Sequence, residues 1–166
     1  MIDRRLLLTS VTGLFGLAAL RMLKPSPAHS AEKFEIEKSD ADWRAQLTPQ
    51  QYEILRNQGT ERPWSSALLK EHRKGIFACA GCDLPLFSSE TKFDSGTGWP
   101  SFYRPLENAV GITEDRSYGV VRSEVHCRRC GGHLGHVFDD GPKPTGLRYC
   151  MDGLALVFHP GAPTPS

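Results

Sequence analysis

The sequence has no surplus of charge, no extended internal repeat and only one long apolar run. Its 20 Lys and Arg nearly balance 19 Asp and Glu, for a formal net charge of +1. That leaves no electrostatic footprint for nucleic acid, whose affinity comes chiefly from phosphate neutralisation. The chain is not poor in apolar residues either, since hydrophobic types make up 39% of it. Disorder is therefore excluded as its dominant state, and 166 residues are enough for one domain with a real core. Long helical stretches are scarce, whereas 16 Gly and 12 Pro punctuate the chain. Such spacing favours short strands and turns.

The single apolar run lies at the start. Arg4-Arg5 precedes Leu6-Leu7-Leu8, the run continues through Val11 to Leu20, and Arg21 closes it. A short positive head followed by an apolar stretch reads as an export signal. The stretch is short for a membrane span, which needs roughly 20 apolar residues. The paired arginines resemble a twin-arginine signal. Ala28 and Ser30 offer small residues for cleavage near Ala31. The expected organisation is a signal peptide over 1–30, a lead-in over 31–42, a folded domain over 43–160 and a tail over 161–166. An uncleaved signal would instead anchor the chain to the membrane.

Beyond the lead-in, Thr48-Pro49-Gln50-Gln51 carries the marks of a helix start. Thr48 suits the cap, Pro49 the first helical position, and Gln51 completes a capping box. With Gly59 as the stop, a helix is expected over Pro49 to Gln58. Apolar stretches then recur at Gly75–Cys79, Val110–Thr113, Tyr118–Val125, Leu134–Phe138 and Leu154–Phe158. Val121 and Val125 fall on one face and Arg122 and Glu124 on the other, the alternation of a half-buried strand. The reading is a mainly antiparallel β domain with its helices at the N-terminal side.

The five cysteines divide into two C-x-x-C pairs, Cys79/Cys82 and Cys127/Cys130, and a single Cys150. Two such pairs can close a tetrahedral Zn²⁺ site. The 44 residues between them mean that the fold must bring the pairs together. Two disulfides or a redox-active pair are the alternatives. Cys150 is then left over as a candidate reactive thiol, or as a small buried apolar residue.

The strings Thr60-Glu61-Arg62-Pro63, Lys92-Phe93-Asp94-Ser95-Gly96-Thr97-Gly98-Trp99-Pro100-Ser101-Phe102, His133-Leu134-Gly135-His136-Val137-Phe138-Asp139-Asp140-Gly141-Pro142 and Arg148-Tyr149-Cys150 resemble the B-type methionine-R-sulfoxide reductases. The resemblance spans roughly Trp43 to His159 and includes both cysteine pairs. It implies two antiparallel sheets in a β-tent, short N-terminal helices and one structural Zn²⁺ held by Cys79, Cys82, Cys127 and Cys130. It implies Cys150 as the nucleophile that reduces peptide-bound Met-R-sulfoxide. Trp99, with Phe102 as a second candidate, would bind the substrate methyl group. His133 and His136 would handle the oxygen and its protons. Asp140 would be a buried acid and Arg148 the arginine beside the thiol.

Physical chemistry agrees with these roles. On a strand, Arg148 and Cys150 point to the same face. The cation there would favour the thiolate or, as a plain ion pair, hold Asp140. Histidine titrates near neutrality and suits proton transfer, with two satisfied core histidines or a metal pair as the alternatives. An indole face suits a methyl group and a sulfur, with an ordinary core Trp as the alternative. Two positions depart from the resemblance. Thr97 stands where many relatives keep a second, resolving cysteine, so an external thioredoxin-like thiol is expected to reduce the Cys150 sulfenic acid. Asp152 stands where the family has Asn. An ionised carboxylate cannot donate a hydrogen bond, and its charge would raise the thiol pKa. The expected enzyme is a soluble monomer of the periplasm that acts on oxidised proteins or peptides. The rival readings are a zinc-binding module without catalysis and a general thiol-disulfide oxidoreductase.

Overall fold

The computed structural model describes residues 33–161; the expected signal segment and most of the tail fall outside the described residues. Two short helices come first. Helix α1 (Asp40–Gln46) starts where Ser39 accepts the N–H of Asp42, and it buries Trp43. Helix α2 (Pro49–Asn57) opens with the expected capping box: Thr48 Oγ1 accepts the Gln51 N–H at 3.2 Å, and Gln51 Oε1 accepts the Thr48 N–H at 3.1 Å. It buries Tyr52, Ile54 and Leu55. Its left-handed cap is Gln58, with φ of 54°, rather than Gly59.

Among the described residues, nine strands form two antiparallel sheets. The smaller has the order β2 (Pro85–Ser88), β1 (Gly75–Cys79), β9 (Leu156–Pro160). The larger runs β3 (Lys92–Phe93), β4 (Ser101–Phe102), β8 (Arg148–Met151), β7 (His133–Phe138), β6 (Arg122–Cys127), β5 (Val110–Asp115). The mainly β expectation is met, with β1 spanning the residues anticipated for it. Elsewhere strand starts move. Residues Ser117–Gly119 and Gly153–Ala155 form tight 3₁₀ turns, so β6 begins at Arg122 and β9 at Leu156. Val121 therefore precedes its strand and is exposed, while Val125 is fully buried.

The core lies between the two sheets and is aromatic. Phe87 of β2 stacks on Phe102 of β4 with centroids 4.4 Å apart, and Phe77 of β1 meets Phe102 edge-on at 5.0 Å. Tyr149 of β8 completes the cluster beside Phe87. Leu86, Val125, Leu134 and Met151 fill the space around it. On β8, Tyr149 and Met151 thus face the core, and the two-residue alternation turns Arg148 and Cys150 to the opposite face.

Candidate active site

Cys150 sits near the middle of the larger sheet, opposite Ser101 of β4 on one side and His136 of β7 on the other. Residues directly opposite one another in a sheet share a face, so Ser101, Cys150 and His136 form a row across three strands. The thiol is half-buried.

A regular strand would send His133 and His136, three residues apart, to opposite faces. The β6–β7 ladder contains an irregularity: Val125 pairs with Gly135, but His126 pairs with His133. The additional residue on β7 is a bulge, which re-aims side chains. Both rings consequently face the site, with centroids 5.4 Å apart. Gly135 is required there. Its φ is 145°, and a Cβ would fall 2.2 Å from the carbonyl oxygen of Cys150.

Each histidine is held by a carboxylate. His136 Nε2 lies 2.9 Å from Asp115 Oδ2, and Arg122 holds the same oxygen at 2.7 Å. Burial pushes the His136 pKa down, and the Asp115 contact opposes this. His133 Nδ1 lies 2.7 Å from Glu124 Oε1, and Gln58 and Thr113 also donate to that carboxylate. The His133 contact holds the Glu124 pKa below its usual value. His133 Nε2 is buried without a hydrogen-bond partner, 4.0 Å from Asp152 Oδ2.

Arg148 forks onto Asp140 with two bonds of 2.8 Å and lies over the Phe138 ring at 4.4 Å. Asp140 was expected to be a buried acid; its side chain is 59% exposed. The pairing is real, but Asp140 holds the arginine from the solvent side. Burial pushes the Cys150 thiol up, and the Thr97 hydroxyl and the Arg148 charge pull it down. The Asp152 charge adds to the upward shift. The net direction is upward, so Arg148 alone does not make a thiolate in this state.

Trp99 is half-exposed, and its indole N–H donates to the Glu61 carbonyl at 3.1 Å. The Glu61 carboxylate accepts the N–H of Gly153 at 2.5 Å and that of Leu154 at 3.3 Å. The Glu61 N–H donates to Asp152 Oδ1 at 2.9 Å. One segment therefore straps the indole to the turn that follows the nucleophile. Asp152 is only 3% exposed, and burial raises its pKa to about 6. Phe102, expected beside Trp99, belongs elsewhere. It is fully buried in the aromatic core, on the face of β4 opposite to Ser101, and is closed to a ligand.

At the hairpin turns, the Cys79, Cys82, Cys127 and Cys130 sulfurs all lie within 4.8 Å of one another. Cys79 and Cys130 are 3.8 Å apart, and Cys82 and Cys127 3.5 Å. Thiolates about 2.3 Å from one tetrahedral Zn²⁺ sit roughly 3.8 Å from each other, so the set fits a structural zinc. A disulfide would bring its sulfurs to about 2.05 Å. The two knuckles belong to different sheets, β1–β2 and β6–β7, and the metal would staple them.

A model of the SelR domain matches residues 47–160. The chain belongs to the SelR domain family. It is 57% identical over 127 residues to a protein of Agrobacterium fabrum named peptide methionine sulfoxide reductase MsrB, covering 76% of this chain and 94% of that one. Proteins of the same name from Leptospira interrogans and Methanosarcina mazei are 54% and 57% identical, over 96% and 89% of their lengths.

In this SelR domain the structure places Cys150, His133, His136 and Arg148 on one face of the larger sheet, with Trp99 and Asp152 joined to one another through Glu61 next to it. Sequence reasoning missed the groups that hold them: Asp115, Glu124, Glu61 and the hydroxyls of Ser95, Thr97 and Ser101. Glu124 was visible on the polar face of an alternating strand. That face turns out to be the site rather than solvent. For Asp115 and Glu61 no local pattern points to the site, because the contacts that tie them to it, with His136 and Gly153, span 21 and 92 residues.

Proposed function

We propose that this protein reduces peptide-bound methionine-R-sulfoxide to methionine and thereby repairs oxidised proteins. The observation that carries the reading is the position of Cys150, the cysteine outside the metal cluster, in one row with His136 on the site face of a SelR domain. The Cys150 sulfur attacks the sulfoxide sulfur, the oxygen passes to Cys150 as a sulfenic acid, and methionine leaves. His136, held through Nε2, has Nδ1 left for proton exchange with the oxygen. His133 stands behind it. Trp99, fixed through its N–H, offers its ring face to the methyl group and sulfur. Cys79, Cys82, Cys127 and Cys130 would hold a zinc ion that ties the two hairpins together, and four sulfur ligands would leave it no open position for substrate.

The sulfenic acid condenses with an external thiol, releasing water, and a second thiol frees Cys150. The other four cysteines of the chain lie in the metal cluster, which supports an external donor such as a thioredoxin-like dithiol. Export to the periplasm is supported by the basic head and apolar run of residues 1–30. The mature protein is then a soluble monomer supplied with reductant across the membrane. The domain limits follow from the same reading, with catalysis in 43–160.

Dithiothreitol-driven reduction of separated R and S dabsyl-methionine sulfoxides tests the activity. Turnover of the R epimer alone, lost in Cys150→Ser, is expected. No turnover by the folded, zinc-loaded protein would return the reading to a binding module.

A further inference from the structure

Three hydroxyls outside the residues discussed for catalysis lie in a line that ends at the nucleophile. Ser101 Oγ donates to the Trp99 carbonyl at 3.3 Å, and Ser95 Oγ lies 2.7 Å from Ser101 Oγ. Thr97 Oγ1 follows at 2.8 Å from Ser95 Oγ, and Cys150 Sγ is 3.8 Å from Thr97 Oγ1. Ser101 is fully buried and opposite Cys150 in the ladder, so the far end of the line is fixed by the sheet. We propose that Thr97 is a catalytic residue whose hydroxyl donates a hydrogen bond to the ionised Cys150 sulfur, with Ser95 and Ser101 as positioning residues that set its direction. This rests on the reading of Cys150 as the nucleophile.

Proton counting sets the direction of the line. A hydroxyl has one proton to donate, so a chain of hydroxyls must point one way or the other. With a thiol at its end, every proton has a place. Cys150 donates to Thr97, Thr97 to Ser95, Ser95 to Ser101, and Ser101 to the Trp99 carbonyl. With a thiolate, the line must reverse. Thr97 turns its proton to the sulfur, Ser95 turns to Thr97, and Ser101 turns to Ser95. No heavy atom moves, and only the long bond to the Trp99 carbonyl is given up. A half-buried thiolate is otherwise poorly served. Arg148 is shared with Asp140, and Asp152 bears the same sign of charge as the thiolate. His136, across the ladder, is held to Asp115 through Nε2, and its Nδ1 serves the substrate oxygen. Thr97 is the foremost group that favours the ionised sulfur. The same hydroxyl can donate to the sulfenic oxygen after transfer.

The test is the pH profile of iodoacetamide alkylation at Cys150, followed by mass spectrometry on the zinc-loaded protein, beside steady-state kinetics. Thr97→Val keeps the shape and removes the hydroxyl. It is expected to raise the apparent thiol pKa by about one pH unit and lower kcat roughly tenfold, with KM little changed. Thr97→Ser is expected to restore both. Ser95→Ala leaves Thr97 in place and is expected to move the profile by a smaller amount, and it carries the test if Thr97→Val does not fold. An unchanged profile in the folded Thr97→Val protein, or in Ser95→Ala if that variant must stand in, overturns the proposal. So does a Thr97→Ser profile displaced as far as that of Thr97→Val. Alkylation needs no substrate. Turnover surviving in Cys150→Ser would fault the nucleophile reading instead.

Discussion

Replacing Asp152 with Asn removes one buried charge while keeping the acceptor that Glu61 needs. In the folded protein, burial lifts the Asp152 pKa from 3.8 to about 6. Between those values the folded state binds more protons than the unfolded state, so stability falls as pH rises through the window. The loss is complete above pH 6 and amounts to about 3 kcal/mol, because each pH unit of the window is worth about 1.4 kcal/mol. Asn escapes this cost. It also supplies a donor toward His133 Nε2, which lies buried without a partner 4.0 Å from Asp152 Oδ2. Asp152→Asn is therefore expected to be more stable than the parent at pH 8 by about 2–3 kcal/mol, with little difference near pH 4. Urea melts at pH 4, 5, 6 and 8 measure it, as the midpoint difference should open across that range. The charge also holds the Cys150 thiol up. Its removal is expected to lower the apparent thiol pKa by about half to one pH unit and to raise turnover at neutral pH. A stability difference that is the same at pH 4 and pH 8, or a variant weaker at pH 8, would refute the assignment of a buried, costly carboxylate.

Asp115→Asn leaves His136 without its anionic partner; kcat should fall roughly 10-fold to 100-fold, with the melting temperature moving by only a few degrees. Phe102→Ala should cost about 3–5 kcal/mol in urea unfolding because it opens a cavity between the sheets. The milder Phe102→Leu should leave KM unchanged, as expected of a core residue. Stripping the metal with a strong chelator should cost several kcal/mol and unfold the domain cooperatively. Cys82→Ser should do the same, because it removes one ligand of the metal cluster. Both are read by circular dichroism with a zinc assay.

The parts of the fold legible in the sequence were those governed by near neighbours. The Thr48 cap and Gln51 box, the β1 stretch and the paired cysteines are signals within a few residues. The short strands β2, β3, β4 and β8 were not legible as strands, because two to four residues carry no measurable alternation. Their identity comes from pairing across the sheet. Val121 misled for a related reason: it continues the period of Val125, yet the 3₁₀ turn before Arg122 takes it out of the strand. At the site, residue types and the family resemblance marked Cys150, the histidines and Trp99. The bulge at Gly135, which alone lets two histidines three apart face one way, depends on pairing with β6 and could not be read beforehand. Phe102 was misplaced because it shares a string with Trp99, although its neighbour Ser101 is the residue that lies on the site face. In a strand, adjacency means the opposite face.

The positions of the sulfurs along the chain also set an order of assembly. All four metal ligands precede Cys150, so during synthesis both knuckles are complete before the nucleophile exists. A metal captured then would close the 51-residue span between Cys79 and Cys130 and remove most of the entropy cost of bringing the two hairpins together. Strands β8 and β9 come later, inserting beside β4 and β7 in one sheet and beside β1 in the other. Until they do, Cys150 has neither Ser101 nor His136 across from it and behaves as an ordinary thiol. The environment of the reactive cysteine is thus complete only once β8 lies between β4 and β7, and a chain that ends before β8 carries no nucleophile.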